Sequence, residues 1–383
     1  MLFFYKVISI AEMGRKTMKL IHCADLHLDS KMSANLDKDN AKERKSEILH
    51  TFERMVDFAA KNQVEAILIA GDLFDTKNIS ATTRNTVLYN ITAHPEIDFY
   101  YLKGNHDSDN FLSGLEEIPE NLRMFGTQWT TYEMADGQIT ISGLELSANN
   151  VGSADVSLVL DSKKFNIVML HGQEAESGVK DKAEIINLKQ FRNKGIDYLA
   201  LGHVHTYKKE ALDARGTYCY VGCLEGRGFD ECGEHGFVIL EVDETTGKYN
   251  HEFVPFAQRQ LYTVNVDVTG CLTTAEMVAR ATVELQHAGC EEEALVKIVL
   301  KGMVDVECEK DIPYFLARFK PRFYFVKVYD ETTLKIEVED YLLDESLKGE
   351  FVRQVMADAT ISQEDKKSII RYGLQALAGE EVQ

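Results

Sequence analysis

Long apolar runs are missing: no uninterrupted stretch of the 383 residues approaches the roughly 18–20 that a bilayer-spanning helix requires. The opening apolar segment Leu2–Ile10 is too short and wrongly flanked for a secretory signal with a small-residue cleavage site. A cysteine framework is missing too. The seven cysteines are unevenly spaced and nothing else points to secretion, so a reduced, cytoplasmic setting is expected. Positive charge is scarce: 42 Lys and Arg against 62 Asp and Glu give a net charge of −20, which excludes a general polyanion binder. Any nucleic acid must then be reached through local basic patches, metal ions or a partner. Internal repeats and low-complexity tracts are absent, as are the usual Ser and Cys nucleophile motifs, so no covalent protein intermediate is expected.

What is present is an ordinary globular composition, 45% hydrophobic and 27% charged, in a chain too long for one core. Two or three domains follow. Met1–Thr17 is set aside as a non-native extension: Gly14-Arg15-Lys16 is encodable by GGA-AGG-AAA, which reads as a ribosome-binding site upstream of a start at Met18. From there strand and helix alternate. Lys19–Cys23, Val64–Ala70 and Asp98–Leu102 read as buried strands, and Ala41–Lys61 and Thr82–Ala93 as helices, the first with Ile48, Phe52, Met55, Val56 and Ala59 on one face. This βαβαβ order predicts a mainly parallel sheet. Trp129–Ala135 and Gln138–Glu145 flank Asp136-Gly137, a hairpin signal. Phe165–Leu170, Asp197–Leu201, Thr217–Val221, Gly236–Val242 and Lys248–Phe253 read as further strands, and a parallel half followed by an antiparallel half predicts two packed sheets with outer helices.

Near Pro255 the pattern restarts. Leu261–Val268, a helix from the capping box Thr273-x-x-Glu276 to about Ala288, Ala294–Leu300, a helix around Asp311–Phe319, Arg322–Tyr329 and Leu334–Val338 predict a small βαβαββ unit. Two amphipathic helices close the chain, Ser346–Asp358 with Leu347, Phe351 and Val355 in its apolar row, and Ser362–Leu377 with Ile370, Leu374 and Leu377.

The chemistry lies at the ends of the apolar strands. Asp25-Leu26-His27 follows the first strand, Gly71-Asp72 the second, Gly104-Asn105-His106-Asp107 the third, His171-Gly172 the strand ending at Leu170, and Gly202-His203-Val204-His205 the strand ending at Leu201. In sheets of this class the carboxyl ends of neighbouring strands converge on one crevice. Asp, His and Asn with no thiolate suit Mn²⁺, Fe or Zn in five- or six-coordinate sites rather than structural Zn. The spacing of two in Asp25-x-His27 and His203-x-His205 lets both side chains point the same way from extended backbone. Asp72 follows a glycine that allows a tight turn, and a carboxylate can bridge ions about 3.5–4 Å apart. A lone His or Asp near a strand end is usually structural; five such groups in order, each after a strand, point to a site for two metal ions.

These motifs resemble the complete signature of the calcineurin-like metallophosphoesterases. The resemblance implies one ion on Asp25, His27, Asp72 and His205, a second on Asp72, Asn105, His171 and His203, and His106 over the phosphate as general acid or transition-state donor with Asp107 orienting it. His22-Cys23-Ala24-Asp25-Leu26-His27-Leu28-Asp29-Ser30 and Ala70-Gly71-Asp72-Leu73-Phe74-Asp75 resemble the DNA-repair nuclease branch of SbcD and YhaO type. Tyr220-Val221-Gly222-Cys223-Leu224-Glu225 resembles that branch's Tyr-Pro-Gly-Ser segment, with Val and Cys in place of Pro and Ser. The resemblance implies an α/β fold: a two-sheet sandwich flanked by helices over 18–258, a small α+β cap over 259–340, and a helical partner-binding tail over 341–383 that docks on the coiled coil of an SbcC- or YhaN-like ATPase. It also implies a possible homodimer. The function expected is a two-metal phosphodiesterase, the DNA exonuclease or endonuclease subunit of a repair complex, with Mn²⁺ as first choice of metal. The alternative is a phosphoesterase for a small phosphodiester or a phosphoprotein, which the acidity fits better; a non-catalytic scaffold is disfavoured by the intact ligand set.

Three weaker signals have plain readings beside the functional one. Cys219, Cys223, Cys232 and His235 are spaced like no standard zinc finger, so buried thiols are expected. Phe323, Tyr324, Phe325 and Tyr329 could stack on bases but read better as core. Lys208, Lys209, Arg215 and Arg227 could touch phosphates or line a solvated loop.

Overall fold

The computed structural model describes residues 17–32, 36–76, 78–175, 184–305, 308–335, 338, 341 and 343–377. The segment 1–16 lies outside them, while Thr17 already pairs with Asp243. The chain divides into two compact units between Gln258 and Arg259.

In the first unit each short apolar run becomes a strand. In chain order these are β1 (Thr17–Cys23), α1 (Lys38–Lys61), β2 (Ala66–Ala70), α2 (Ala81–Ala93), β3 (Asp98–Leu102), β4 (Leu122–Met124), β5 (Thr130–Met134), β6 (Ile139–Gly143), α3 (Ala154–Ser157) and β7 (Phe165–His171). After them come β8 (Gln173–Glu174), β9 (Ile185–Ile186), β10 (Tyr198–Gly202), β11 (Lys208–Ala211), β12 (Thr217–Tyr220), β13 (Gly236–Asp243) and β14 (Tyr249–Pro255). Asp37 caps α1 by accepting from the amides of Asp39 and Asn40, and Ser80 caps α2 by accepting from that of Thr83.

The sheets run β14-β13-β1-β2-β3-β4 and β11-β12-β10-β7-β6-β5. Period-two alternation sorts their side chains. In β7, Phe165, Ile167 and Met169 enter the core between the sheets, and Val168 and Leu170 face a second core outside. β10 repeats this with Tyr198 and Ala200 inward, Leu199 and Leu201 outward.

Two expectations about pairing are corrected. The later strands are not an antiparallel half: β6, β7, β10 and β12 run parallel, with antiparallel strands only at the edges β5 and β11. Strands buried on both faces need no polar face, and that favours parallel pairing under helices. The hairpin β13–β14 joins the first sheet instead, where β13 closes the open edge of β1 from Thr17↔Asp243 to His22↔Val238. Val238, Leu240 and Val242 are buried with Leu20 in the inter-sheet core.

The second unit contains β15 (Leu261–Asp267), α4 (Thr274–His287), β16 (Leu295–Lys301), β17 (Met303–Asp305), α5 (Ile312–Phe319), β18 (Phe325–Asp330), β19 (Thr333–Lys335), α6 (Leu347–Ala357) and α7 (Gln363–Leu377). The parallel sheet β15-β16-β18 packs Val266, Val296 and Ile298 with Met277, Ala281, Leu285, Phe315 and Phe319. The last expected strand stops at Lys335, pairs with β17, and gives way to a helical residue at Val338. α6 and α7 form their own small core from Val352, Val355, Ile370 and Leu374, flanked by Val338 and Tyr341. The expected apolar rows are corrected at their ends: Leu347 is 71% and Leu377 40% exposed, since both lie at helix termini beyond the overlap.

Candidate metal centre

β1, β2 and β3 of one sheet and β7 and β10 of the other end at one place, because parallel pairing sets them level: Cys23 lies beside Ile69, Ala70 beside Leu102, and Gly202 beside His171. The chain leaves β1 and β2 through left-handed backbone. Asp25, His27 and Asp72 have φ of 51°, 45° and 50°, and His203 has 95°. The extended geometry expected for Asp25-x-His27 is therefore corrected. The αL turns are held by the Asp25 amide on the Gly71 carbonyl and the His27 amide on the Asp72 carbonyl, both 3.0 Å. Non-glycine residues in this region cost about 1–3 kcal/mol each and concentrate at functional sites. Gly71, at φ 94°, has no such cost, and a Cβ there would lie 2.1 Å from the His171 Nδ1.

The donor atoms converge. The His27 and His205 Nε2 atoms stand 3.2 Å apart, and Asp25, His27 and His205 form one group whose ligand atoms lie within 4.8 Å of one another. Asp25, Asp72 and His171 form a second such group. One oxygen joins them: the Asp72 Oδ2 is 3.8 Å from the His27 Nε2 and 3.3 Å from the His171 Nε2. The Asn105 Oδ1 is 3.1 Å from that same His171 nitrogen. The His203 ring stands edge-on to His171, centroids 5.3 Å apart, while its backbone amide donates to both Asp25 oxygens at 2.9 Å. The structure thus brings Asp25, His27, Asp72, Asn105, His171, His203 and His205 together.

The electrostatics call for a cation. Asp25 and Asp72 are 1% and 2% exposed. Burial pushes the Asp25 carboxyl up to about 6 despite His171 and His205 nearby. Burial also opposes ionisation of Asp72, but the hydrogen bond and charge of His171 and the charge of His27 hold it below the carboxylate range. Burial pulls His171 down, yet its hydrogen bond to Asp72 and the charges of Asp25 and Asp72 win and raise it to about 9. A proton on His171 supplies the positive charge that the buried carboxylates draw in. Oxygen and imidazole donors around such a pair fit divalent metal ions.

His106 sits at the rim, its side chain 45% exposed, its ring edge-on to His27 at 5.0 Å and its amide donating to the Asp72 Oδ1 at 2.9 Å. The group behind it differs from expectation. Asp107 accepts from the amides of Gly104 at 2.9 Å, Phe74 at 2.9 Å and Leu73 at 3.3 Å, tying the second and third motifs together. The His106 Nδ1 instead faces Asp75, 3.4 Å from its carbonyl and 3.8 Å from its Oδ1. A cleft of about 240 Å³, lined by Lys103, Asn105, Ser108, Glu145 and His171, opens beside this rim.

Three site residues escaped the sequence reading as such. Asp75 and Glu231 back the two histidines, the Asp75 Oδ1 3.1 Å from the His27 Nδ1 and the Glu231 Oε1 2.7 Å from the His205 Nδ1. Arg227, considered only for phosphates, lies between them. Asp75 is visible in the Gly71–Asp75 segment; Glu231 has no local signal. Of the other basic residues, Lys208 pairs with Glu174, and Arg215 with Asp197 at 2.7 Å. The cysteines do not form a site. Cys219 lies in the inter-sheet core and Cys232 is exposed, which leaves Cys223 3.2 Å from the His235 Nδ1. Phe323 is core, the Arg259 guanidinium covers Tyr324 at 3.6 Å, and Tyr329 is 41% exposed beside Lys297. Among the described residues no helix is long and apolar enough to cross a membrane.

Comparison with known proteins agrees with this centre. The model of the calcineurin-like phosphoesterase family matches residues 18–207. The uncharacterized metallophosphoesterase YhaO of Bacillus subtilis is 28% identical over 299 residues, covering 74% of this chain and 72% of its own. The DNA double-strand break repair protein Mre11 of Methanopyrus kandleri is 24% identical over 322 residues, 75% of this chain and 69% of its own. The SbcD component of the nuclease SbcCD of Staphylococcus epidermidis is 25% identical over 278 residues, 62% of this chain and 69% of its own. The family uses a dinuclear metal site, and the donors found here fit one. Residues 18–207 are thus a calcineurin-like phosphoesterase domain, and the chain built on it is a hydrolase of phosphoester bonds.

Proposed function

We propose that this chain is a two-metal DNA nuclease, the phosphodiesterase subunit of a repair assembly with a coiled-coil ATPase. One ion is assigned to Asp25, His27, Asp72 and His205, the other to Asp72, Asn105, His171 and His203. The observation that carries the assignment is the Asp72 Oδ2 standing between the His27 and His171 Nε2 atoms at 3.8 and 3.3 Å. When bound, two divalent cations, Mn²⁺ by the mixed oxygen and imidazole set, supply Lewis-acid charge and a lowered water pKa. Asp72 would contribute a carboxylate to both. His106, half-exposed at the rim, donates a proton to the leaving oxygen while Asp75 faces its Nδ1. Asp107 acts indirectly, by pinning the Gly104 turn that carries Asn105 and His106.

The nuclease reading is supported by relatives whose names state double-strand break repair and nuclease function. A net charge of −20 supports the need for a partner that brings DNA-binding surface. The tail 341–383 is proposed as its dock. Ile369, Tyr372 and Leu377 recur at helical spacing on α7 and are 38–40% exposed. That same acidity favours the second reading, an enzyme for a small phosphodiester or a phosphoprotein. The assay is hydrolysis of double-stranded DNA beside a chromogenic phosphodiester, with Mn²⁺ and with chelator, for the wild type and Asp72→Ala. Mn²⁺-dependent DNA cleavage lost in Asp72→Ala is expected. Turnover of the small ester alone selects the second reading, and full activity in chelator refutes both.

A further inference from the structure

Behind the two histidines assigned to the first ion lies an arrangement that no motif announces. The Arg227 Nη1 donates to the Asp75 Oδ1 at 2.9 Å, and its Nη2 donates to the Glu231 Oε1 at 2.9 Å. The same two oxygens are those facing the imidazoles, Asp75 Oδ1 at 3.1 Å from the His27 Nδ1 and Glu231 Oε1 at 2.7 Å from the His205 Nδ1. The Arg227 backbone amide adds a bond to the Glu231 Oε2 at 2.7 Å, so Glu231 is held from both ends. On the far side of the rings the two Nε2 atoms stand 3.2 Å apart. One guanidinium therefore spaces two carboxylates, each carboxylate faces an Nδ1, and the two Nε2 atoms lie side by side on the opposite edges of the rings.

We propose that Arg227, Asp75 and Glu231 form a positioning clamp for a divalent cation, with Arg227 as its keystone. This rests on the two-metal reading above. The physical reasons are three. A carboxylate on Nδ1–H fixes the tautomer that leaves Nε2 free to ligate and raises its basicity. Two carboxylates this near to each other and to Asp25 and Asp72 would repel, and the arginine charge offsets that. A planar fork bridges two acceptors in a fixed direction, which an ammonium on a flexible stem does not. The clamp also reaches the reaction. The Asp75 Oδ1 lies 3.8 Å from the His106 Nδ1, so the acid at the rim and the ligands in the site share one support. None of these three residues has to touch substrate for this role.

The test is Mn²⁺ binding by calorimetry and metal analysis on the full chain, with electron paramagnetic resonance of the coupled ion pair as the second readout. Wild type, Arg227→Met, Arg227→Lys and Glu231→Gln are compared, each checked for folding by circular dichroism. Two ions are expected in the wild type. In Arg227→Met and Arg227→Lys one ion binds about 10–100-fold more weakly while the other keeps its affinity, and the coupled signal is lost at Mn²⁺ concentrations that saturate the wild type. Glu231→Gln, whose amide oxygen can still accept from the His205 Nδ1, keeps more affinity than either arginine variant. Two ions at wild-type affinity in both arginine variants overturn the clamp and leave the metal reading standing. Fewer than two ions in the wild type overturn both. If Arg227→Met does not fold, Arg227→Lys decides.

Discussion

Gly104→Ala puts a single methyl group against Asp72, the carboxylate assigned above to both ions. A Cβ at Gly104 would lie 2.2 Å from the Asp72 Oδ1, 2.8 Å from its Cγ and 2.6 Å from its backbone nitrogen, where ordinary contact begins near 3.4 Å. Turning the Asp72 side chain relieves the first two contacts and not the third, so the β2 turn and the β3 turn must part by about 1 Å. The same Asp72 oxygen accepts from the His106 amide at 2.9 Å, so the displacement carries the rim histidine with it. Overpacking of this kind costs about 1–3 kcal/mol. At about 2–4 °C per kcal/mol for a domain of this size, the melting temperature should fall by about 2–12 °C. A misplacement of about 1 Å between ligand and acid costs on the order of 10²-fold in turnover. The assay is Mn²⁺-dependent hydrolysis of a chromogenic phosphodiester, with metal content and thermal melting on the same samples. Gly126→Ala is the control, since a Cβ there meets nothing within 4 Å, and it should match the wild type. A Gly104→Ala protein with wild-type turnover and two bound ions would refute the reasoning, because the shared carboxylate would then tolerate a shift that should disable it.

His106→Ala should keep two Mn²⁺ ions and lose about 10²–10⁴-fold in kcat, measured with metal analysis; loss of an ion would move His106 into the ligand set. His22 is fully buried with its Nδ1 2.9 Å from the Tyr198 hydroxyl, and burial, with His251 nearby, pushes it down to about 3. Its folded pKa lies below the unfolded value, so its neutral form stabilises the fold above about 6.5, and that contribution is lost as pH falls from there towards 3. Melting temperatures between pH 7 and 4 should therefore fall less steeply in His22→Gln than in the wild type, and parallel curves would contradict this. Removing Leu347–Gln383 should leave hydrolysis of a small phosphodiester intact and abolish capture of the coiled-coil ATPase; capture by the truncated chain would place the dock elsewhere.

Donor identity is written locally. An apolar run of five to seven residues followed by Asp-x-His, Gly-Asp or Asn-His-Asp reports a buried strand and the polar atoms at its end, and the structure has those runs at β1, β2, β3, β7 and β10. Strand partners are not written this way. A ladder is made of backbone groups that every residue carries, so nothing in Gly236–Val242 distinguishes the edge of β1 from an edge of the other sheet; burial of Val238, Leu240 and Val242 beside Leu20 decides it. Backbone strain escapes for a related reason. The spacing of Asp25 and His27 is equally consistent with extended chain, and only the crossing with Gly71 and Asp72 imposes φ near +50° on both. Asp107 and Asp75 lie in motifs legible as motifs, yet which of them faces His106 depends on how two turns stack. Glu231 is the far case: one of three acidic residues in the loop Asp230–Glu234, none marked out locally, and it is brought to His205 in the segment between β12 and β13. Sequence alone determined which atoms could bind a cation, since donor chemistry belongs to single residues. The tertiary structure decided how those atoms are aimed and backed, since charges and ring nitrogens act over a few ångströms of space and not along the chain.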